Sequence, residues 1–117
     1  MIKTHYYLSI ILFAVSSYLS AHTHTIRNYT AEEVALRVDT IAGYDIERTI
    51  KPPYPGDQYN EVLIDTGIRC TRAFEAATRF GILRVEVEDF NKCQSFEVAV
   101  HYKNIANPDE GITLTIR

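Results

Sequence analysis

The sequence predicts an α+β domain in which one N-terminal helix packs on a four- to five-stranded antiparallel sheet. An apolar stripe at helical spacing follows a capping pattern near residue 30, which indicates the helix. Later segments alternate between apolar and polar residues, as half-buried strands do. A leader-like start and only two cysteines indicate an exported domain with one disulfide.

The predicted helix begins near Thr30, because Thr30 and Glu33 have the spacing of a capping box. Apolar residues then recur at i, i+4 and i+7, which would form one stripe along a helix. These residues are Val34, Val38 and Ile41. Gly43 follows as the expected C-terminal stop. We therefore predict one amphipathic helix of about eleven residues.

The chain after the helix is predicted to be a loop followed by strands. Two proline clusters and a glycine in segment 51–57 prevent regular ladder pairing. The predicted strands are 62–65, 69–78, 82–88, 96–102 and 112–116, and a turn is predicted at 107–111. Alanines in segment 69–78 would also suit a helix, so both assignments stay open there.

The start of the chain has the pattern of a secretory signal peptide. Lys3 precedes an apolar run of about ten residues, which is too short to cross a bilayer, and small residues follow it. Cleavage after Ser17 or Ala21 fits this pattern. We therefore expect residues 1–21 to be a removed signal and residues 22–117 to form a single domain.

Charge and hydropathy limit the partners of the mature domain. Loss of Lys3 with the leader reduces 12 basic residues to 11 against 15 acidic ones, which changes the net charge from −3 to −4. This balance argues against dense, charge-driven coating of nucleic acid. No later segment has the length and apolar character of a membrane span. We expect a secreted monomer without a membrane partner, which stays extracellular or enters a host cell.

Cys70 and Cys93 are the only cysteines, and export favours a disulfide between them. A bridge that closes a loop of this length contributes about 3 kcal/mol in the chain-entropy model. A free thiol or an intermolecular bridge is the alternative.

Two short patterns lie immediately after the leader. Asn28 opens a sequon for N-glycosylation, Asn28-Tyr29-Thr30. If cleavage follows Ala21, the new terminus reads His22-Thr23-His24, which has the donor spacing of a square-planar copper or nickel site. A disordered tail is the favoured interpretation of this terminus, and we expect no metal and no cofactor.

Residue parity places Glu75, Arg84 and His101 on one face of the predicted sheet. Hairpins that turn at Phe80-Gly81 and Asn91-Lys92 would bring these side chains within about 8 Å of one another. A carboxylate, a guanidinium and an imidazole in one groove suit proton transfer around a phosphate ester. An ordinary solvated face with ion pairs is the alternative. The helix would cover the opposite face, which bears Leu83, Val85, Val87, Val98 and Val100.

Short motifs in this order resemble those of small fungal guanyl-specific ribonucleases and of the RNase-like secreted effectors of powdery-mildew fungi. The motifs are Tyr29–Val34 with Ala42–Tyr44, Tyr54-Pro55, Tyr59-Asn60-Glu61, Arg84-Val85 and Val98–His101. The resemblance implies a microbial ribonuclease-like fold. It also implies Glu75 as general base, His101 as general acid and Arg84 as the group that holds the phosphate.

The resemblance further implies that Tyr54 donates a hydrogen bond to phosphate and that Tyr59, Asn60 and Glu61 contact guanine in RNA. The sequence departs from the family pattern after Tyr54-Pro55, where Gly56 and Asp57 replace a histidine.

Three functions remain open at this point. We favour a secreted, non-catalytic effector that binds a host protein or RNA. The second is an active endoribonuclease with Glu75 as base and His101 as acid. The third is an extracellular structural or toxin-like domain without an RNA partner.

Overall fold

The computed structural model describes residues 22–88 and 93–117. The predicted leader and the predicted turn at Asn91-Lys92 lie outside the described residues. The described chain has eight strands and one 3₁₀ turn, Pro108–Glu110. The strands are β1 (His22–Asn28), β2 (Val34–Thr40), β3 (Asp45–Ile50), β4 (Asn60–Gly67), β5 (Thr71–Thr78), β6 (Gly81–Glu86), β7 (Glu97–Tyr102) and β8 (Ile112–Ile116).

These strands form a β-sandwich of two four-stranded sheets. The first sheet has the order β4-β1-β7-β8 and the second the order β3-β2-β5-β6. All neighbouring strands pair antiparallel except β1 and β7, which are parallel. Contacts of β3 with β4 and of β6 with β8 show that the sheets lie over each other, edge above edge.

The predicted N-terminal helix is wrong, because the chain from Val34 to Thr40 is strand β2. Val34, Leu36 and Val38 are all buried, so the apolar residues follow a period of two. The helical stripe used residues at spacings of four and three and passed over Leu36. β-branched residues at positions 34, 38 and 40 also favour a strand.

The predicted capping residue has a different role in the β1–β2 turn. The hydroxyl of Thr30 accepts a hydrogen bond from the backbone N–H of Glu32 at 3.2 Å, and it donates to the side-chain oxygen of Asn28 at 2.7 Å. These bonds are the local turn contacts with which Ser and Thr compete against helix formation. Thr30 therefore stabilises a turn between strands.

The strands predicted after residue 60 are confirmed as β4 to β8, and segment 69–78 is a strand beyond residue 71. Strands β1 and β3 were not predicted. In β1 the core-facing positions are His24, Ile26 and Asn28, so two of three are polar and the alternation is masked. The expected disordered tail at residues 22–24 is therefore the start of a central strand.

Apolar side chains from both sheets meet in one core. Its buried members are Ile26, Val34, Leu36, Val38, Ile50, Ile64, Phe74, Ala76, Val87, Phe96, Val98, Val100 and Ile112. Of the predicted apolar face, Val87, Val98 and Val100 are buried and Leu83 and Val85 are half-buried, but a second sheet covers them where a helix was expected. Each sheet consequently has one outer face, and the two outer faces point in opposite directions.

The predicted disulfide between Cys70 and Cys93 is confirmed, with Cα atoms 4.4 Å apart. It joins the turn before β5 to the connection between β6 and β7. That connection carries the chain from the second sheet to the first. The bridge therefore ties the two sheets together at one end of the sandwich.

Candidate functional site

Glu75 and Arg84 are direct partners in the pairing of β5 with β6, on the outer face of the second sheet. Arg37 on β2 is the partner of Glu75 on its other side and donates a hydrogen bond to Glu75 Oε2 at 2.8 Å. Arg84 Nη1 also lies 3.6 Å from the same oxygen. The predicted base is thus held between two guanidinium groups of its own fold.

Asp39 is the central group of this face and is only 4% exposed. Its carboxylate forms an ion pair with Arg84, and its Oδ1 lies 3.2 Å from Arg37 Nε. Burial alone would raise the pKa of Asp39, but the hydrogen bond from Arg84 and the positive charges of Arg84 and Arg37 lower it below its usual value. We call Arg37, Asp39, Glu75 and Arg84 the charged face.

His101 lies on β7 in the first sheet, so the prediction that it shares a face with Glu75 and Arg84 is wrong. The prediction assumed that β6 and β7 form a hairpin. In the structure the chain crosses from one sheet to the other between these strands, and parity cannot relate residues of different sheets. The imidazole is consequently on the opposite side of the sandwich from the other two groups.

His101 is instead part of an aromatic row on the outer face of the first sheet. Its ring stacks on Tyr29, with centroids 4.4 Å apart and planes inclined by 16°. Tyr29 in turn contacts Tyr59, with centroids 5.1 Å apart, and the guanidinium of Arg27 lies 5.2 Å from the Tyr59 ring centroid. We call Arg27, Tyr59, Tyr29 and His101 the aromatic face.

The sequence pointed to Tyr59 and His101 on this face but missed Tyr29 and Arg27. Both missed residues belong to β1 or follow it directly, and β1 was not recognised as a strand. Alternation of Thr25, Arg27 and Tyr29 against the buried residues of β1 is the signal that would have found them.

The remaining residues of the predicted RNA contact are divided between two places. Glu61 lies beside the aromatic face, where its Oε1 accepts a hydrogen bond from Arg27 Nε at 2.9 Å. Asn60 donates from its side chain to the backbone oxygen of Lys51 at 3.0 Å. Tyr54 lies in the loop between β3 and β4 and is 76% exposed. The structure thus brings Tyr59, Glu61 and His101 together and leaves Tyr54 apart.

A hollow of about 160 Å³ adjoins the aromatic face. Its floor is made of short side chains in the middle of the sheet, and longer side chains form its rim. Ala99 is the cross-strand partner of both Arg27 and Thr115, which explains the depression between β1 and β8. The rim carries both signs of charge, from Arg27, Glu97 and Arg117. The hollow thus has two guanidinium groups and one carboxylate on its rim, and one of these guanidinium groups, that of Arg27, is also paired with Glu61.

His24 is buried on the inner side of the first sheet, and both of its ring nitrogens are engaged. Nδ1 accepts a hydrogen bond from the backbone N–H of Phe96 at 2.9 Å, so Nε2 carries the proton and donates to the Thr71 hydroxyl at 2.7 Å. Burial, with a smaller effect from His22, lowers the pKa of His24 to about 4.

These contacts remove His24 from the suggested copper or nickel site. Among the residues that the structure describes, no group of three His, Cys, Asp or Glu side chains is placed to hold a metal ion.

Asn28 is fully buried, although it opens the sequon. Its Nδ2 donates to the backbone oxygen of Glu32 at 2.8 Å, and its Oδ1 accepts from the backbone N–H of Thr30 at 2.9 Å. A glycan attaches at Nδ2, so glycosylation is incompatible with this folded arrangement. Asn28 is a structural residue of the β1–β2 turn.

The chain matches no model of a known protein family, and no curated protein is significantly similar to it. Within residues 22–88 and 93–117, no helix has the length and apolar character needed to cross a membrane.

Proposed function

We propose that this chain is an exported, non-catalytic binding domain that receives a partner protein on the aromatic face. The observation that carries the proposal is the separation of His101 from Glu75 and Arg84 by the full thickness of the sandwich. An acid and a base must reach opposite sides of the same phosphorus atom to cleave RNA. His101 and Glu75 have no common substrate position.

The state of each face supports binding at the first sheet. The acidic and basic groups of the charged face bind one another, so a ligand there would have to displace existing ion pairs. The aromatic face presents partly exposed rings beside a hollow. Tyrosine and arginine side chains are enriched at protein-binding surfaces, and tyrosine provides a large contact area at low conformational cost because its side chain has only two rotatable torsions.

A polypeptide fits this surface better than RNA does. Arg27 is already paired with Glu61, and the carboxylate of Glu97 offsets the charge of Arg117 on the rim of the hollow, so the hollow offers phosphates little net positive charge. The expected net charge of the mature domain, −4, also opposes close approach of a polyanion. Export remains a prediction from the leader pattern.

The proposal is tested by selecting peptides from a random display library against the purified, oxidised protein. We expect the selected peptides to shift the NMR signals of Tyr29, Tyr59 and His101. Replacement of the stacked imidazole, His101→Ala, is expected to weaken binding by about tenfold because it removes one side of the aromatic row. Glu75→Gln is the matched control on the opposite face and should leave peptide binding unchanged.

An RNA cleavage assay tests the rival function in the same samples. Guanosine-specific cleavage that disappears in both His101→Ala and Glu75→Ala would contradict the proposal and support the endoribonuclease. Selected peptides that lose binding with Glu75→Gln but keep it with His101→Ala would contradict the assignment of the aromatic face.

A further inference from the structure

Residues Lys51–Pro55, which we call the proline segment, have a backbone conformation that is largely dictated by the sequence. Pro52, Pro53 and Pro55 each hold their own φ near −65°. Lys51, Pro52 and Tyr54 each precede a proline, which confines them to extended conformations. A segment with both restrictions favours a left-handed polyproline II helix, which has three residues per turn.

Burial along the segment follows this three-residue repeat. Ile50 is fully buried and Pro53 is half-buried, so one ridge of the helix faces the domain. Lys51 and Tyr54, also three residues apart, are both exposed. The third ridge contains Pro52, which is half-buried, and Pro55, which is exposed. The ridge of Lys51 and Tyr54 is thus presented to solvent, and the ridge of Pro52 and Pro55 is presented at its Pro55 end.

Contacts at both ends hold the proline segment in place. The backbone oxygen of Lys51 accepts hydrogen bonds from the side chains of Asn60 and Asn28, at 3.0 and 3.3 Å. At the other end, the N–H of Asp57 donates to the backbone oxygen of Tyr54 at 3.0 Å, and Gly56 supplies the positive φ, 94°, that this turn requires. The segment therefore loses little conformational entropy on binding.

We propose that the proline segment is a docking ligand for a partner protein whose groove is lined with aromatic side chains, of the type that binds polyproline II helices. Pro52 and Pro55 have the Pro-x-x-Pro spacing that such grooves accept. Lys51 lies on the neighbouring exposed ridge and suits an acidic side chain at the edge of the groove. The segment shares no residue with the aromatic face, so this interaction is independent of the one proposed above.

Purified SH3 and WW domains serve as probes, because both classes have aromatic-lined grooves for polyproline II segments. We expect at least one domain of a panel to bind the full mature protein in calorimetric titrations. Two variants, Tyr54→Ala and the double variant P52A/P55A, are each expected to weaken this binding by at least about tenfold. Tyr54→Ala removes an exposed ring and leaves the core untouched. It therefore tests the proposal even if the double variant P52A/P55A does not fold.

Matched controls come from the other loops. Tyr44→Ala removes a second exposed tyrosine from the β2–β3 turn, and Pro108→Ala removes a proline from the 3₁₀ turn; both should bind the probes as the unchanged protein does. Absence of binding to every domain of the panel would overturn the proposal. Binding that persists in both Tyr54→Ala and P52A/P55A, or that depends on His101, would overturn it as well.

Discussion

The two outer faces of the sandwich arise from the same alternation of side chains but differ in what those side chains contact. On the charged face, Asp39 and Glu75 are bound by Arg37 and Arg84, and Asp39 is nearly inaccessible. On the aromatic face, Tyr59 contacts Tyr29 at a tilted angle, and Tyr29 stacks on the exposed imidazole of His101. One face is internally neutralised, and the other still has groups available to a partner.

This difference shows how a polar surface can mislead a search for an active site. A carboxylate beside a guanidinium on a sheet has the composition of a catalytic pair, yet here both groups are paired with neighbouring side chains of the same sheet. Buried or half-buried ions need counter-charges from their own fold, because desolvation is otherwise costly. A surface whose ions are already paired has less capacity for ligands than one with open aromatic rings. The predictions below test this contrast.

Acid is expected to act on the two sheets in different pH windows, with the largest effect through the first sheet. His24 has a lowered pKa of about 4, so the unfolded chain binds a proton first as the pH falls from about 6.5. Stability is therefore lost between about pH 6.5 and pH 4, by about 3 kcal/mol in total. Asp39 on the second sheet also has a lowered pKa, so its contribution to stability is lost only at a lower pH than that of His24.

Urea unfolding at a series of pH values measures this loss. The variant His24→Gln should flatten the pH dependence of the free energy of unfolding between pH 6.5 and 4. His101→Gln, at an exposed site, should preserve this dependence. NMR titration of the His24 imidazole gives an independent check if His24→Gln does not fold. A His24 that titrates near its ordinary value would contradict the prediction.

Removal of the central carboxylate is expected to be the most damaging change on either outer face. Asp39→Ala leaves Arg37 and Arg84 without their shared counter-charge and should lower the free energy of unfolding by about 2 kcal/mol. The loss stays below that of a fully buried ion pair because both arginines reach water. Chemical denaturation measures the effect, with Asp109→Ala as a control at an exposed carboxylate in the 3₁₀ turn. Equal stability of the two variants would show that the charged face is not a stabilising network.

The aromatic face should tolerate substitution better than the charged face does. His101→Ala removes one stacking contact with Tyr29 and is expected to lower the free energy of unfolding by less than about 1 kcal/mol. A double-mutant cycle with Tyr29→Leu isolates the stacking energy. A loss as large as that of Asp39→Ala would mean that the aromatic face is primarily structural, and the contrast between the faces would disappear.

Local patterns in the sequence were sufficient to locate the strands in the second half of the chain, but not to pair them correctly. Clean alternation in segments 82–88 and 96–102 predicted β6 and β7, and the hairpin at Phe80-Gly81 was expected to place Arg84 one or two pairs from Glu75, where the structure pairs them directly. The same reasoning failed where polar residues occupy core positions, as His24 and Asn28 do in β1. His24 is accommodated by hydrogen bonds with Thr71 and Phe96, which are distant in the sequence and leave no local signal. Asn28 is held mainly by Thr30 and Glu32 of the adjoining turn.

The amino-acid sequence alone determined the single disulfide, the locations of β4, β6, β7 and β8, the apolar side of the last three of these strands and the restricted backbone of residues 51–55; it left β5 open between strand and helix. Each depends on residue type or on spacing within a short segment. Only the tertiary structure decided which strands share a sheet, and therefore that His101 faces away from Glu75. Strand order depends on packing energy summed over the whole core, and a chain that crosses between sheets breaks the parity rule that holds within one sheet.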